Sequence, residues 1–492
     1  MKRTHACGLT LALIATLALG ACGGGGGDNA NFYAVSAAIA ASTRAPAPAP
    51  GTVGSTPRGA VIASKVTQQH STADVDSAMQ SLTTSASGST PAAGDMRIGA
   101  VESRADAAIC GVTVQHLTYS TLDPQGAPAT ATTALMVPTG SSADCTGPRP
   151  VLLYAHGTTT LKSYNAADPR KTPEAMMVEA YYAAHGYIVV MPNYLGYDTS
   201  SLSYHPYLDA EVQANDMIDG LRAGLAQVSS DGKAEASKQL FIAGYSQGGH
   251  VAMATHKVLE RDHAGEFTVT AAGTMSGPYD LVQFGDDITS PSGAVDIGGV
   301  LFMPYLMRSY QNAYGGMYVQ PSDVYQAPFD QTAPTIFPTD TPVATLIANG
   351  SLPDDPTFRL LFGPGGLLTD SFRNAYPTSN FRAALARNTL LGWTPKAPVA
   401  LCGGMDDPTV YYSNTTSMRD DFATRGLTVP TWDLETRATL PAGKAAGDIY
   451  DAFQLAKLKA GQNWEMKYHG ELVPPFCHAL VRGFFAQAMA KS

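Results

Sequence analysis

The chain has 492 residues, enough for one large domain with insertions or for two domains. Apolar residues make up 45% and charged residues 15%, so a sizeable core can form. The formal net charge of −10 argues against nucleic acid as a partner, because phosphate binding needs clustered Lys and Arg.

The first residues read as an export signal. Lys2 and Arg3 form a positive start, and "LTLALIATLALG" is an apolar run of signal-peptide length. Leu19-Gly20-Ala21-Cys22 then resembles the lipobox of bacterial lipoproteins. That resemblance implies a signal peptide over 1–21, lipidation of Cys22 and a lipid anchor in a membrane. The glycine run after Cys22 fits a flexible leash, and Gly rather than Asp after the cysteine resembles lipoproteins sent to the outer membrane. An ordinary cleaved signal, giving an extracellular protein, is the alternative. Residues 23 to about 60 are rich in Gly, Ala, Ser and Pro, with "RAPAPAPG" as a semi-rigid stretch. Residues 61 to 95 are polar with weak helical periodicity and carry no assigned role. Together 22–95 read as a tether and an N-terminal segment of uncertain structure.

From about Ala108 the texture changes. "CGVTVQHLTYSTL" and "ATATTALMVP" alternate like half-buried strands around the turn "DPQGAP". Buried-type strands then alternate with helical stretches. "PVLLYAHG" precedes a helix over 173–185, "YIVVMPN" a helix over about 209–228, and "LFIAGYS" a helix that begins after Ser246. "FTVTAAGTMSG", "PVALCGG" and "LTVPTWDLET" are later strands, and a last helix begins at "PPFCHALVRGFFAQAMA". Near-continuous apolar strands between helices predict an α/β fold: a mostly parallel central sheet flanked by helices, with an antiparallel hairpin at its start. The alternation stops over 276–396, which is far longer than a normal connection. "GGVLFMPYLMRSYQNAYGGMY" there has apolar residues at helical spacing. It reads as a largely helical cap over the sheet's C-terminal edge, whose apolar residues line an acyl pocket or simply form the cap's own core. The core is then 96–275 and 397–492.

Past the signal region four cysteines remain. An exported chain meets an oxidising compartment, and of the three pairings possible the expected one is Cys110–Cys145 with Cys402–Cys477. The first ties two early strands together, and the second joins the end of a strand to the start of the last helix. No CxxC or Cys/His spacing suggests zinc, so no metal is expected.

Gly244-Tyr245-Ser246-Gln247-Gly248 falls between a predicted strand and a predicted helix, the context of a nucleophile elbow. The sharp turn has no room for side chains at its glycines. It lifts the Ser246 hydroxyl to the end of the sheet and aims the Gln247 N–H at a developing oxyanion, with the field of the helix N-terminus behind it. A serine hydroxyl needs a base. Where the triad runs in the order Ser, acid, His, only His469 and His478 of the eleven histidines lie beyond the last strand. Pro474 and Pro475 mark a first helical turn. His478 then falls inside the helix and His469 in the loop before it, which favours His469 with His478 as the alternative. His250 and His256 read as surface or packing residues. The acid follows "PVALCGG": Asp407, with Pro408 after it and Val410 three residues on, is preferred over Asp406, and the loser is expected to cap the next turn. "YAHGTTT" supplies the other oxyanion donors. Gly157 permits close backbone approach, and Thr158 offers its N–H, its hydroxyl or both.

With "AAHGYIVVMPNYLGYD", "HPYLDAEVQANDMIDGLRA", "GYSQGGH" and the long insertion before the acid's strand, the chain resembles the α/β-hydrolase superfamily over roughly 108–490, within its secreted lipase and esterase branch. The histidine departs from the pattern by standing far past the last strand, after "GDIYDAFQLAKLKAG". The resemblance implies a serine carboxylic-ester hydrolase, acting on ester or lipid substrates through an acyl-enzyme without a cofactor, and a lid formed by 276–396. The alternatives are a serine peptidase or amidase, a polyester depolymerase, and a non-catalytic ligand-binding lipoprotein. Acyl chain length and oligomeric state have no signature in the sequence.

Overall fold

A computed structural model describes residues 52–53, 56–84, 107–290 and 296–491. The signal segment, Cys22 and the Pro-rich tether up to residue 51 lie outside the described residues.

The main sheet has nine strands. In chain order they are β1 (Val61–His70), β2 (Gly111–Leu122), β3 (Pro128–Thr139), β4 (Pro148–Ala155), β5 (Ile188–Pro192), β6 (Glu235–Tyr245), β7 (Val269–Met275), β8 (Val399–Gly403) and β9 (Thr431–Asp433). Their spatial order is β9-β8-β7-β6-β4-β5-β3-β2-β1. The pairs from β9 to β5 are all parallel, and β5–β3, β3–β2 and β2–β1 are antiparallel. The apolar runs account for this arrangement. Leu152, Leu153, Val189, Val190, Phe241 and Ile242 are fully buried, as strands covered on both faces require. The covering helices are α1 (Thr72–Thr84), α2 (Pro173–Tyr181), α3 (Ala210–Asp231) and α4 (Gln247–Asp262).

Two parts of the N-terminal segment differ from the sequence reading. The supposed tether is structured by residue 58: Arg58 is buried, and its guanidinium pairs with the Asp219 carboxylate on α3 at 2.9 Å. A charged side chain in a Pro- and Gly-rich stretch has here found a buried counter-ion, and Thr121 and Arg222 bind the same carboxylate. The segment given no role contains β1, which pairs with β2 along almost its whole length. Most β1 side chains are exposed, so the period-2 pattern of a half-buried strand is missing.

The segment between β7 and β8 carries α5 (Leu281–Thr289), α6 (Gly299–Tyr314), two short helices at Val343–Ala348 and Asp370–Ala375, and α7 (Asn380–Asn388). Its apolar residues form a second hydrophobic cluster, including Leu301, Met307, Tyr310, Leu361 and Phe372, apart from the main core. After β8 come α8 (Ser413–Thr424), β9, α9 (Lys444–Ala460) and, last, α10 (Val473–Met489).

Both expected disulfides are present. Cys110–Cys145 closes a span of 35 residues and Cys402–Cys477 one of 75. The first lies where β2 and β4 begin. The second staples the end of β8 to α10. Replacing either pair by serine should lower stability by about 2–4 kcal/mol, read from denaturant midpoints. Activity should fall mainly in the Cys402→Ser/Cys477→Ser variant, because that bridge lies at the sheet end that carries Ser246; equal residual activity in both variants would contradict this.

Candidate active site

Ser246 stands between β6 and α4 with φ 58° and ψ −124°. Such a backbone is costly for a residue with a Cβ and is held only by its surroundings. Its N–H donates to Met275 O at 2.9 Å, which ties the turn to β7. The neighbouring glycines make the turn possible. A Cβ on Gly244 would run into the Gly248 carbonyl, and one on Gly248 into the Ala155 carbonyl. Ser246 is 9% exposed, at the end of the parallel strands.

His469 joins the other two groups. Its Nε2 is 2.7 Å from Ser246 Oγ and its Nδ1 is 2.7 Å from Asp407 Oδ2. The second oxygen of Asp407 accepts the N–H groups of Thr409 at 2.9 Å and Val410 at 3.0 Å, so the carboxylate is oriented from both sides. Asp406 points away. Its carboxylate is about half exposed and pairs with Lys457 at 2.6 Å. The turn-capping role expected of the unused aspartate is therefore performed by Asp407 itself, because only its carboxyl faces the N–H groups of its own turn.

His469 is not in a loop. Trp464–Lys467 is α-helical, Tyr468–Leu472 is a π-helical turn, and α10 follows directly. Pro474 and Pro475 account for the wide turn, since neither can donate to the carbonyls of Gly470 and Glu471 four residues back. The His469 carbonyl is left to accept the Tyr245 hydroxyl at 2.6 Å. The residue before Ser246 thus clamps the backbone of His469.

The oxyanion candidates divide. The Gly157 N–H is bonded to both carboxyl oxygens of Glu174, at 3.1 and 3.0 Å, so the expectation that it faces an oxyanion is not met. Glu174 lies on α2 behind this loop and draws that donor backwards. The N–H groups of Thr158 and Gln247 make no hydrogen bond among the described residues. Thr158 Oγ1 lies 2.8 Å from the Tyr207 hydroxyl. The Gln247 amide is 2.7 Å from His205 Nε2, and His205 Nδ1 is 2.8 Å from Leu195 O. Burial drives His205 down to about 3, so it is neutral, donating from Nδ1 and accepting the Gln247 amide on Nε2.

Comparisons with solved structures bear on the fold. No family model matches the sequence, and no curated protein does. A ligand-bound form of the rice cell wall degrading esterase LipA from Xanthomonas oryzae superposes with a TM-score of 0.68 at 28% identity, over 87% of this chain and 98% of that one. Candida antarctica lipase A superposes with a TM-score of 0.51 at 14% identity, over 77% of each chain. The chain has the α/β-hydrolase fold. Its structural neighbours are esterases and lipases.

Within this fold four other histidines, His478, His156, His250 and His256, hold packing positions. His478 lies on α10, with the Tyr154 hydroxyl 3.2 Å from Nε2 and the Tyr182 hydroxyl 3.1 Å from Nδ1. Burial lowers it to about 3, and it makes no contact with Ser246. His156 is stacked on Tyr164 and Tyr194 beneath the Gly157 loop. His250 and His256 are buried in packing positions, against Asn388 O and Glu260 respectively, not on the surface. Among the described residues there is no cluster of His, Cys, Asp and Glu that could hold a metal ion.

Sequence reasoning gave no role to Glu174, His205 or Tyr207. His205 and Tyr207 belong to "HPYLDAE", whose close-set polar and aromatic residues were the available signal. Glu174 had none, because a glutamate in the first turn of a helix ordinarily faces water.

A cavity opens beside Ser246, with about 740 Å³ of free space, part of it continuous with solvent. Ser246 and Gln247 form one end. Most of the rest is hydrocarbon, including Leu281, Phe284 and Ile288 of α5 and Phe302 and Met303 of α6.

Burial holds the Glu174 carboxyl at about 7 against an ordinary 4.5. Between those values the folded chain retains a proton that the unfolded chain has lost, so this group's contribution to stability falls as pH rises through that window and is constant above it. Glu174→Gln removes the titration. Its stability relative to wild type should therefore rise by about 3 kcal/mol from pH 4.5 to pH 8, as measured by urea unfolding. A pH-independent difference would contradict the assignment.

Proposed function

We propose that the chain is a serine carboxylic-ester hydrolase of the lipase and esterase kind, working through an acyl-enzyme. The observation that carries this reading is the single imidazole bridging Ser246 and Asp407 at 2.7 Å on each side. Those distances are within the reach that proton transfer needs.

Ser246 Oγ attacks the ester carbonyl as His469 Nε2 takes its proton. Asp407 Oδ2 accepts the Nδ1 hydrogen, fixes the tautomer and stabilises the imidazolium. The negative oxygen of the tetrahedral intermediate is held by the N–H groups of Gln247 and Thr158, at the N-terminus of α4. If the Tyr207 phenol donates to Thr158 Oγ1, the Thr158 hydroxyl hydrogen also turns to that oxygen. His469 then gives its proton to the leaving alcohol. Water, deprotonated by the same nitrogen, releases the acid and restores Ser246. The apolar cavity receives the acyl chain, and 276–396 acts as the lid that covers it. The esterase and lipase neighbours support an ester as substrate.

The two disulfides fit an oxidising compartment outside the cytosol. With the lipobox-like Leu19–Cys22, they support export and attachment through lipidated Cys22, the outer membrane being the favoured destination. No helix among the described residues is long and apolar enough to cross a membrane.

Ser246→Ala should lower kcat on p-nitrophenyl esters by roughly 10³-fold or more with the fold intact, as loss of one triad member does. Equal hydrolysis by wild type and variant would overturn the proposal. The two aspartates give a sharper comparison. Asp407→Asn should lose on the order of 10⁴-fold in kcat, whereas Asp406→Asn should stay within about threefold of wild type, since an exposed ion pair contributes little.

A further inference from the structure

The acyl cavity contains one feature that a purely hydrocarbon ligand does not explain. Asp296, just before α6, lines it together with Ser246 and Gln247. The residue is 1% exposed, and its Oδ1 is buried with no hydrogen-bond partner among the described residues. The fold makes space for this oxygen. Gly299 lies against it, and a Cβ there would come within 2.5 Å of Asp296 Oδ1 and 2.9 Å of Leu361 Cδ1. The position is also fixed relative to the reacting atoms, because the Ile297 N–H donates to the carbonyl of Pro408, next to Asp407, at 2.9 Å. A buried polar atom without a partner is costly, and a native protein keeps few of them.

From the unpartnered Asp296 oxygen in a cavity that begins at Ser246, we infer that Asp296 is a specificity residue for acyl groups bearing a hydroxyl near the ester carbonyl. The preferred substrate class is hydroxyacyl esters rather than plain fatty acyl esters. The assignment rests on the ester-hydrolase reading above. Burial raises the Asp296 carboxyl to about 7, with Asp407 acting in the same direction and Arg359 against it. Both of its forms can use a hydroxyl: the acid donates and accepts, and the carboxylate accepts. The neighbourhood of the Asp407 turn places the contact at the first few carbons of the acyl chain, and the α5 and α6 side chains receive the remainder. A site that hydrogen-bonds a substrate hydroxyl discriminates strongly against the analogue lacking it, because that analogue leaves the buried partner unmatched.

The test compares kcat/KM for ethyl butanoate with each enantiomer of ethyl 3-hydroxybutanoate, and for the corresponding hexanoate esters, by pH-stat titration of the full chain. Wild type should favour one hydroxy enantiomer by about tenfold or more. Asp296→Leu should remove that preference or invert it, and Asp296→Asn, which keeps the shape and a donor–acceptor pair, should retain part of it. Thermal melts show that the variants are folded, and the wild-type ratio stands as a test even if they are not. A wild-type ratio near one, with Ser246 still required for turnover, overturns the Asp296 assignment alone. Hydrolysis of both esters that persists in Ser246→Ala overturns the ester-hydrolase reading as well.

Discussion

The positive φ of Ser246 is the constraint on which the rest of the site depends. It is stable only because three backbones meet without side chains between them. Gly244 and Gly248 contact each other and the end of β4, and a Cβ on Gly249 would lie 2.6 Å from Met275 O. Strain at one residue is thus balanced by close packing of β4, β6, β7 and α4. The same packing delivers the hydroxyl to His469 and leaves the Gln247 N–H free at a helix terminus. Loosening any one contact would release the backbone and displace the Ser246 hydroxyl and the Gln247 N–H together.

Around that corner, the supporting groups bind backbone more than side chain. Tyr245 holds the His469 carbonyl, Glu174 holds the Gly157 N–H, and Asp407 is fixed by the N–H groups of Thr409 and Val410. Backbone groups are available in every sequence, so the design asks little of residue identity outside the reacting atoms. Glu174 and Asp296 are both driven upward by burial, and His205 and His478 are driven downward. The two histidines are consequently neutral near pH 7, whereas the two carboxyls stand there between their two forms.

Much of the frame was legible in the sequence, for local reasons. Buried parallel strands show as apolar runs, and the elbow shows because sterics demand glycine on both sides of one serine. Asp407 could be separated from Asp406 because Pro408 restricts the backbone before it. What stayed hidden was decided by partners distant in sequence. β1 lacked alternation because one neighbour strand and little else covers it. Arg58 sat in a segment of linker composition, and only α3 reveals its counter-ion. Glu174 carries a water-seeking side chain, yet Tyr154 and Gly157 enclose it. The double proline marks the start of a helix after a loop by its spacing, but the chain can widen a turn instead of leaving the helix, and sequence spacing does not distinguish the two.

The strand that was hardest to read has a protective consequence. β1 is the last strand of the sheet on its side, and its pairing with β2 is interrupted at two register shifts, with Lys65, Gln68 and Gln69 along it. Irregular, polar borders of this kind discourage foreign strands from docking. Behind it, β2 runs twelve residues, with Val112 and Val114 enclosed on one face and Leu117 and Tyr119 on the other. A chain trimmed beyond His70 would present that long ladder of unmatched donors and acceptors to solvent. This strand is therefore what separates that ladder from solvent.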